Sequence, residues 1–254
     1  MADKPIATAL QDVLSRMKQA AEKANRTHPV RLVAVSKTKP VEALQEAYEA
    51  GQRVFGENYV QEMLDKAPAL PADIQWHFIG HLQSNKVKAV VESVPNLAMV
   101  ETVDSTKLAD KLNKAVEAYS GRTTPLAVMV QWVNTSGEES KYGVEPSECV
   151  ALARHIVQNC PKLRLAGLMT IGMPDYSSRP ENFTCLAACR DAVAADLLGL
   201  GLADPAHSLE LSMGMSGDFE QAIEMGATNI RVGSTIFGAR EYKPKSPPAS
   251  PPKQ

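Results

Sequence analysis

Cysteine is scarce: the 254-residue chain holds four, at positions 149, 160, 185 and 189, and none forms a Cys-x-x-Cys pair. A chain of this length with so few thiols is not a disulfide scaffold. The expected state is reduced, mostly buried thiols in a cytoplasmic protein. No apolar run reaches the length of a membrane-spanning helix, which excludes that class of anchor. An excess of one charge sign is also missing. Lys plus Arg number 27 and Asp plus Glu 29, a net charge of −2 with a pI near 6.2. That balance argues against non-specific nucleic-acid binding. The N-terminal MADKPIATALQDVL lacks both the apolar core of a secretory signal and the Arg-rich, acid-poor character of a transit peptide. A cytoplasmic location is expected, with a mitochondrial pool left open.

What is present is ordinary globular usage, 44% apolar and 22% charged. The length suits one large α/β domain or two small ones. Ile6, Leu10, Val13, Leu14 and Met17 fall at helical spacing near the start. Strand-like runs follow at Val30–Ser36, Arg53–Phe55, Gln75–Ile79, Met99–Glu101, Leu126–Val133, Arg164–Met169, Ser208–Leu211 and Ile230–Val232. Helical patterns lie between them, near 40–50, 58–67, 84–93, 105–118, 146–158, 181–198 and 216–226. Pro40 and Pro146 stand where a first helical turn would begin, and Gly51 and Gly226 where helices would stop. Continuous apolar runs such as VRLVAVS fit strands buried on both faces. Strand–helix alternation calls for a parallel sheet. Eight units in this length predict a single (β/α)8 barrel with an extra N-terminal helix, an α/β fold, over residues 1–242. An open doubly wound sheet is the alternative, because periodicity does not report closure. The last twelve residues, KPKSPPASPPKQ, have no large apolar side chain and are expected to form a disordered tail, 243–254.

In a parallel barrel, chemistry collects at the C-terminal strand ends. Strand alternation puts Val33, Val35 and Lys37 on one face. If that face points inward, Lys37 ends at the mouth over an apolar floor, where lost hydration favours the neutral amine that Schiff-base chemistry needs. A solvated loop lysine is the plain alternative. Lys39 shares the parity but lies beside Pro40 and reads as solvated. After the seventh strand, Ser212-Met213-Gly214-Met215-Ser216-Gly217 opens a helix with Ser216 placed as an N-cap. The eighth strand runs into Gly233-Ser234-Thr235, also at the start of a short helix. Two adjacent glycine-and-hydroxyl turns at this end of a barrel predict phosphate binding. Arg231 shares the face of Gly233, and strands one and eight are neighbours in a closed barrel, so Arg231 and Lys37 can meet. A buried arginine needs an acceptor. Glu57, Glu210 or a ligand atom are the candidates. Asn58 in FGEN can contact a ligand or cap a helix. Met213 and Met215 can cover an apolar ligand or fill the core. His77 and His81 in WHFIGHLQSNK have no evident third metal ligand, and no metal is expected. NTSGEESKYG, 134–143, reads as a lid or a solvated turn.

Taken together, VAVSKTKP, FGENYVQE, WHFIGHLQSNK, NTSGEESKYG, GLMTIG, LSMGMSGDF and RVGSTIFGAR resemble the pyridoxal phosphate homeostasis proteins, the YggS/PROSC group, from about residue 30 to 240. The resemblance implies a (β/α)8 TIM barrel related to the N-terminal domain of alanine racemases. It implies that Lys37 holds pyridoxal 5′-phosphate (PLP) as an internal aldimine. Ser216, Gly233 and Ser234 match the phosphate-binding positions, Arg231 the arginine facing the pyridine nitrogen, and Asn58 and Met213 pocket neighbours. The implied role is vitamin B6 homeostasis, as a carrier or regulator without an established turnover reaction. PLP-dependent apoenzymes are implied as recipients, and a monomer is implied as the form. Racemases carry a second domain that supplies a tyrosine base, and a histidine where this chain has Ile171, so a two-base racemase is hard to build here. A PLP-dependent amino-acid racemase of weak activity, an aldolase-like barrel using Lys37, and an interaction protein presenting the Pro-rich tail are the alternatives.

Overall fold

The computed structural model describes residues 5–132, 146–171, 180–203 and 208–239. The expected lid loop at 134–143 and the Pro-rich tail lie outside them. Eight parallel strands form a closed barrel in sequence order: β1 Arg31–Val35, β2 Val54–Glu57, β3 Gln75–Phe78, β4 Leu97–Val103, β5 Leu126–Trp132, β6 Leu163–Thr170, β7 Glu210–Ser212 and β8 Asn229–Val232. The helices are α1 Ile6–Lys23, α2 Val41–Glu49, α3 Val60–Lys66, α4 Val87–Ser93, α5 Thr106–Ala118, α6 Pro146–Asn159, α7 Pro180–Gly199, α8 Phe219–Glu224 and α9 Ser234–Phe237. Among the described residues, no helix is long and apolar enough to cross a membrane.

Closure is the feature that periodicity could not decide. It is settled by β1 pairing with both β2 and β8, with Val33 opposite Arg231 and Arg31 opposite Asn229. The open sheet is thereby excluded. The main apolar core lies between strands and helices, where Phe55, Trp76, Phe78, Leu10 and Leu44 are fully buried. A separate small cluster, Met99, Ala127, Met129, Ala166 and Met169, is contributed by β4, β5 and β6.

Local chemistry sets the element boundaries. Ser105 caps α5 by accepting a hydrogen bond from the Leu108 N–H at 3.3 Å, which satisfies one orphan donor of the first turn. Helix α1 buries Leu10, Val13 and Met17 on one face and is tied to α8 by Arg16, whose Nε donates to Glu220 Oε1 at 2.9 Å. Helix α8 begins at Phe219 with Asp218 at its cap, two residues later than the cap the sequence pattern predicts at Ser216. Asp218 Oδ1 accepts from the Met215 N–H at 2.6 Å, folding 215–218 into a turn before the helix.

Strand β6 carries an irregularity. Val128 pairs with Leu165 but Met129 pairs with Gly167, so Ala166 is an extra residue. Such a bulge re-aims side chains and often needs glycine. Here the requirement is steric, because a Cβ on Gly167 would stand 2.0 Å from the Glu210 carbonyl oxygen of β7. Gly167→Ala should therefore push β6 from β7 and cost about 3 kcal/mol. Urea unfolding checks this, and an unchanged midpoint would contradict the packing.

Candidate functional site

At the C-terminal end of the barrel a cavity of about 240 Å³ is lined by Lys37, Asn58, Ser216, Arg231, Gly233 and Ser234, with Val35, Ile79, Ile171 and Met215 as its apolar walls. Six of the seven site residues read from the sequence thus share one cavity. Met213 does not. It is fully buried within the main core, while Met215, two residues on, lines the cavity. The reason is parity: Met213 continues the outward face of β7, and the turn after it brings Met215 back over the mouth.

Lys37 sits on a turn that is held from both sides. The preceding Ser36 is buried, its N–H donates to the Gly56 carbonyl at 3.0 Å, and its hydroxyl donates to Glu57 Oε1 at 2.7 Å. Lys66 of α3 donates to the Ser36 carbonyl at 2.9 Å, to Glu57 Oε1 at 2.8 Å and to Glu62 Oε2 at 2.6 Å. Glu62 also accepts from the Thr38 N–H at 2.7 Å. Burial lifts the Glu57 carboxyl above its ordinary range against the pull of Lys66. Thr38 itself has φ of +64°, a left-handed conformation that is costly for a β-branched residue. Strain of this kind persists where surrounding bonds over-determine it, and the Lys66 cluster supplies those bonds. Lys39 also reaches the cavity wall, but its Nζ donates to the Ala239 carbonyl at 2.7 Å.

The phosphate-type turns are linked differently from the expected pair of helix caps. Ser216 Oγ accepts from the Gly233 N–H at 3.2 Å and from the Thr235 N–H at 3.5 Å. One hydroxyl therefore gathers backbone donors from the neighbouring loop, and Ser234 stands exposed beside them. Asn58 is placed by a close backbone approach: a Cβ on Gly80 would lie 2.0 Å from the Asn58 carbonyl oxygen. Its side-chain Oδ1 is buried without a hydrogen-bond partner, so the cavity offers an acceptor that lacks a donor.

Arg231 is buried, and neither Glu57 nor Glu210 accepts from it. Glu57 pairs with Lys66, and Glu210 with Arg31. Arg231 instead donates to Ser212 Oγ and to the Thr170 carbonyl, both at 2.6 Å. A guanidinium has five N–H donors, so donors remain for the cavity. Its countercharge is Glu101, fully buried on β4, which is bonded to His77 at 2.6 Å, to the Ser212 hydroxyl at 2.5 Å and to Asn229 at 3.2 Å. The floor under Lys37 is therefore apolar on one side and polar on the other, not apolar throughout. His81 faces Asp104 at 3.5 Å, so the two histidines of the WHFIGH segment have different partners. Sequence reading missed Glu101, Asn229, Lys66 and Glu62. A carboxylate in the middle of the apolar run LAMVETV was the available signal for Glu101.

Burial pushes the Glu101 carboxyl up, but the His77 hydrogen bond, the His77 and Arg231 charges and the Ser212 hydroxyl outweigh it and hold it below the ordinary carboxylate range. A lowered folded pKa gives stability that is present above the unfolded value and lost as pH falls through the folded one.

The chain matches the family model described as "Alanine racemase, N-terminal domain" over residues 9–241. It is 50% identical over 254 residues to a human protein named "Pyridoxal phosphate homeostasis protein", covering 96% of this chain and 90% of that one. Among solved structures it is similar to PipY of Synechococcus elongatus PCC7942 with PLP bound, at 34% identity and a TM-score of 0.69, covering 88% of this chain and 100% of that chain. An alanine racemase of Clostridium difficile 630 shares the fold at 14% identity and a TM-score of 0.66, covering 94% of this chain and 58% of that chain.

Two outcomes are expected of this geometry. Lys66→Met leaves Glu57 buried without its cation and should cost about 3 kcal/mol in denaturant unfolding; an unchanged midpoint would contradict it. Glu101→Gln should cost roughly 3 kcal/mol at neutral pH and much less in acid. Unfolding curves at both pH values test this, and an equal loss at the two would contradict the sign worked out above.

Proposed function

The chain belongs to the alanine racemase N-terminal domain family and, within it, to the pyridoxal phosphate homeostasis proteins, and on that premise we propose that it binds PLP in the cavity at the barrel mouth and serves vitamin B6 homeostasis. The observation that carries the reading is the convergence of Lys37 from the end of β1 and Arg231 from β8 on one cavity, with the Ser216–Gly233 turns between them. The donor set fits the group. A primary amine, a guanidinium, two hydroxyls and clustered backbone N–H groups match an aldehyde, a pyridine nitrogen and a phosphate, and the unpartnered Asn58 Oδ1 fits a ring hydroxyl.

When bound, PLP supplies an aldehyde that reacts with a primary amine and a ring that can act as an electron sink. Lys37 is the amine, held at the mouth by the clamped Ser36 and Thr38. Lys39 is the poorer candidate, because it lies beyond the clamped Ser36–Thr38 turn, next to Pro40 at the start of α2. Ser216, Gly233 and Ser234 would orient the phosphate through hydroxyl and backbone donors. Arg231 stays protonated in a protein. Facing the ring nitrogen, it would leave that nitrogen without a proton and so weaken the sink.

That choice of partner favours holding the cofactor over turning over amino acids. Ile171, exposed at the cavity rim, brings no acid or base to the position where racemases were expected to carry a histidine. The finer reading is of a non-catalytic, monomeric, cytoplasmic carrier that passes PLP to apoenzymes.

Purified protein incubated with PLP should turn yellow, and borohydride reduction should place the pyridoxyl mass on the peptide carrying Lys37. Lys37→Ala should lose the colour. A preparation that stays colourless, or a label mainly on Lys39, would overturn the site. Deuterium exchange at Cα of added amino acids should not exceed that of free PLP; exchange well above it would restore the racemase alternative.

A further inference from the structure

On the outside of the barrel, α5, α6 and the residue that follows α6 bring together Asp110, His155 and Cys160, with ligand atoms all within 4.8 Å of one another. This is the one such group among the described residues. We propose that the three side chains form a binding site for a zinc-class divalent cation, distinct from the cofactor cavity, with the fourth position open to water.

The geometry is that of three ligands around one point. Asp110 Oδ1 lies 2.8 Å from His155 Nε2 and 3.8 Å from Cys160 Sγ. Tetrahedral zinc with ordinary Zn–O, Zn–N and Zn–S bonds separates these pairs by roughly 3.4 and 3.6 Å. A small rotation of the Asp110 carboxylate reconciles the two sets, and its side chain is 49% exposed, so it is free to turn.

The backbone bearing the thiol is fixed. The Cys160 N–H donates to the Ile156 carbonyl at 3.1 Å, and its carbonyl accepts from Leu163 at 2.9 Å. The Lys162 N–H donates to Asn113 Oδ1 at 2.8 Å, tying this turn to α5. The segment after α6 is thus held against the helix that supplies the carboxylate.

Asn159 constrains the other edge of the ring: its side-chain N–H donates to His155 Nδ1 at 3.2 Å. Metal-bound histidines pass their other N–H to a neighbouring acceptor, so binding through Nε2 requires the Asn159 amide to rotate and present its oxygen. Thiolate, imidazole and a single carboxylate make a borderline-soft donor set, which selects zinc-like ions over magnesium or calcium. The buried thiol and half-exposed carboxylate leave an entry path from solvent. Binding breaks the Cys160 S–H bond, forms a sulfur–metal bond and releases the proton to water.

The full, untagged chain should be stripped with a chelator and titrated with Co2+ as the probe. One equivalent should bind with a thiolate-to-cobalt absorption band that Zn2+ abolishes, and with release of a proton. Cys160→Ser should lose the band, and His155→Ala and Asn159→Ala should each weaken binding at least about tenfold, with circular dichroism confirming that each variant is folded. Cys185→Ser and Cys189→Ser should keep it. No band in the natural chain, a band that survives Cys160→Ser, or one that disappears with the Cys185 or Cys189 variants would each overturn the proposal.

Discussion

The site depends on one buried ion cluster. Lys66 meets Glu57 and Glu62, and through them the backbone on both sides of Lys37. Charges out of water cost several kcal/mol each unless paired with good geometry, and here each charge is also bonded to the Lys37 turn. The cluster thereby fixes a turn in which Thr38 is strained, and a strained turn aims its neighbour in one direction. A lysine on an ordinary loop would spend rotamer and backbone freedom on every encounter with a ligand. This one has surrendered much of the backbone part before any ligand arrives.

A second set of bonds serves the opposite wall. Arg31 donates to Asn229, Asn229 to Glu101 and Ser212, and Arg231 to Ser212, so polar contacts run along the inside of the barrel from its base to the mouth. Arg231 is consequently a fixed charge whose direction is set by partners on β6 and β7. Its cation is matched by Glu101 at a distance, with Ser212 between them, which leaves its remaining donors facing outward. The two walls solve different problems: one positions an amine through backbone clamps, the other positions a guanidinium through a side-chain chain.

Much of this was legible in the sequence. The order of strands and helices followed from apolar runs and their punctuation, and parity along β1 and β8 placed Lys37, Arg231 and Gly233 on one face. What could not be read was contact across the barrel. Glu101 and Arg231 are 130 positions apart in number and meet only after closure, and Lys66 looks like any surface lysine at a helix end. Met213 was carried into the pocket by the resemblance, whereas alternation from Leu211 turns it into the main core, and only the turn from Met215 to Asp218 departs from that alternation. The start of α8 shifted for the same reason. Ser216 proved to bridge two loops, a role that no local pattern announces.

The ring joins its first strand to its last, with Val33 beside Arg231. Half of the proposed grip on the ligand is thus made before most of the chain exists, and the other half arrives near the end of synthesis. A polypeptide still emerging from the ribosome carries Lys37 without Arg231, and so lacks the completed cavity. Under the proposed function, possession of cargo would then certify that folding is finished, because a truncated or misclosed chain would lack one wall of the cavity.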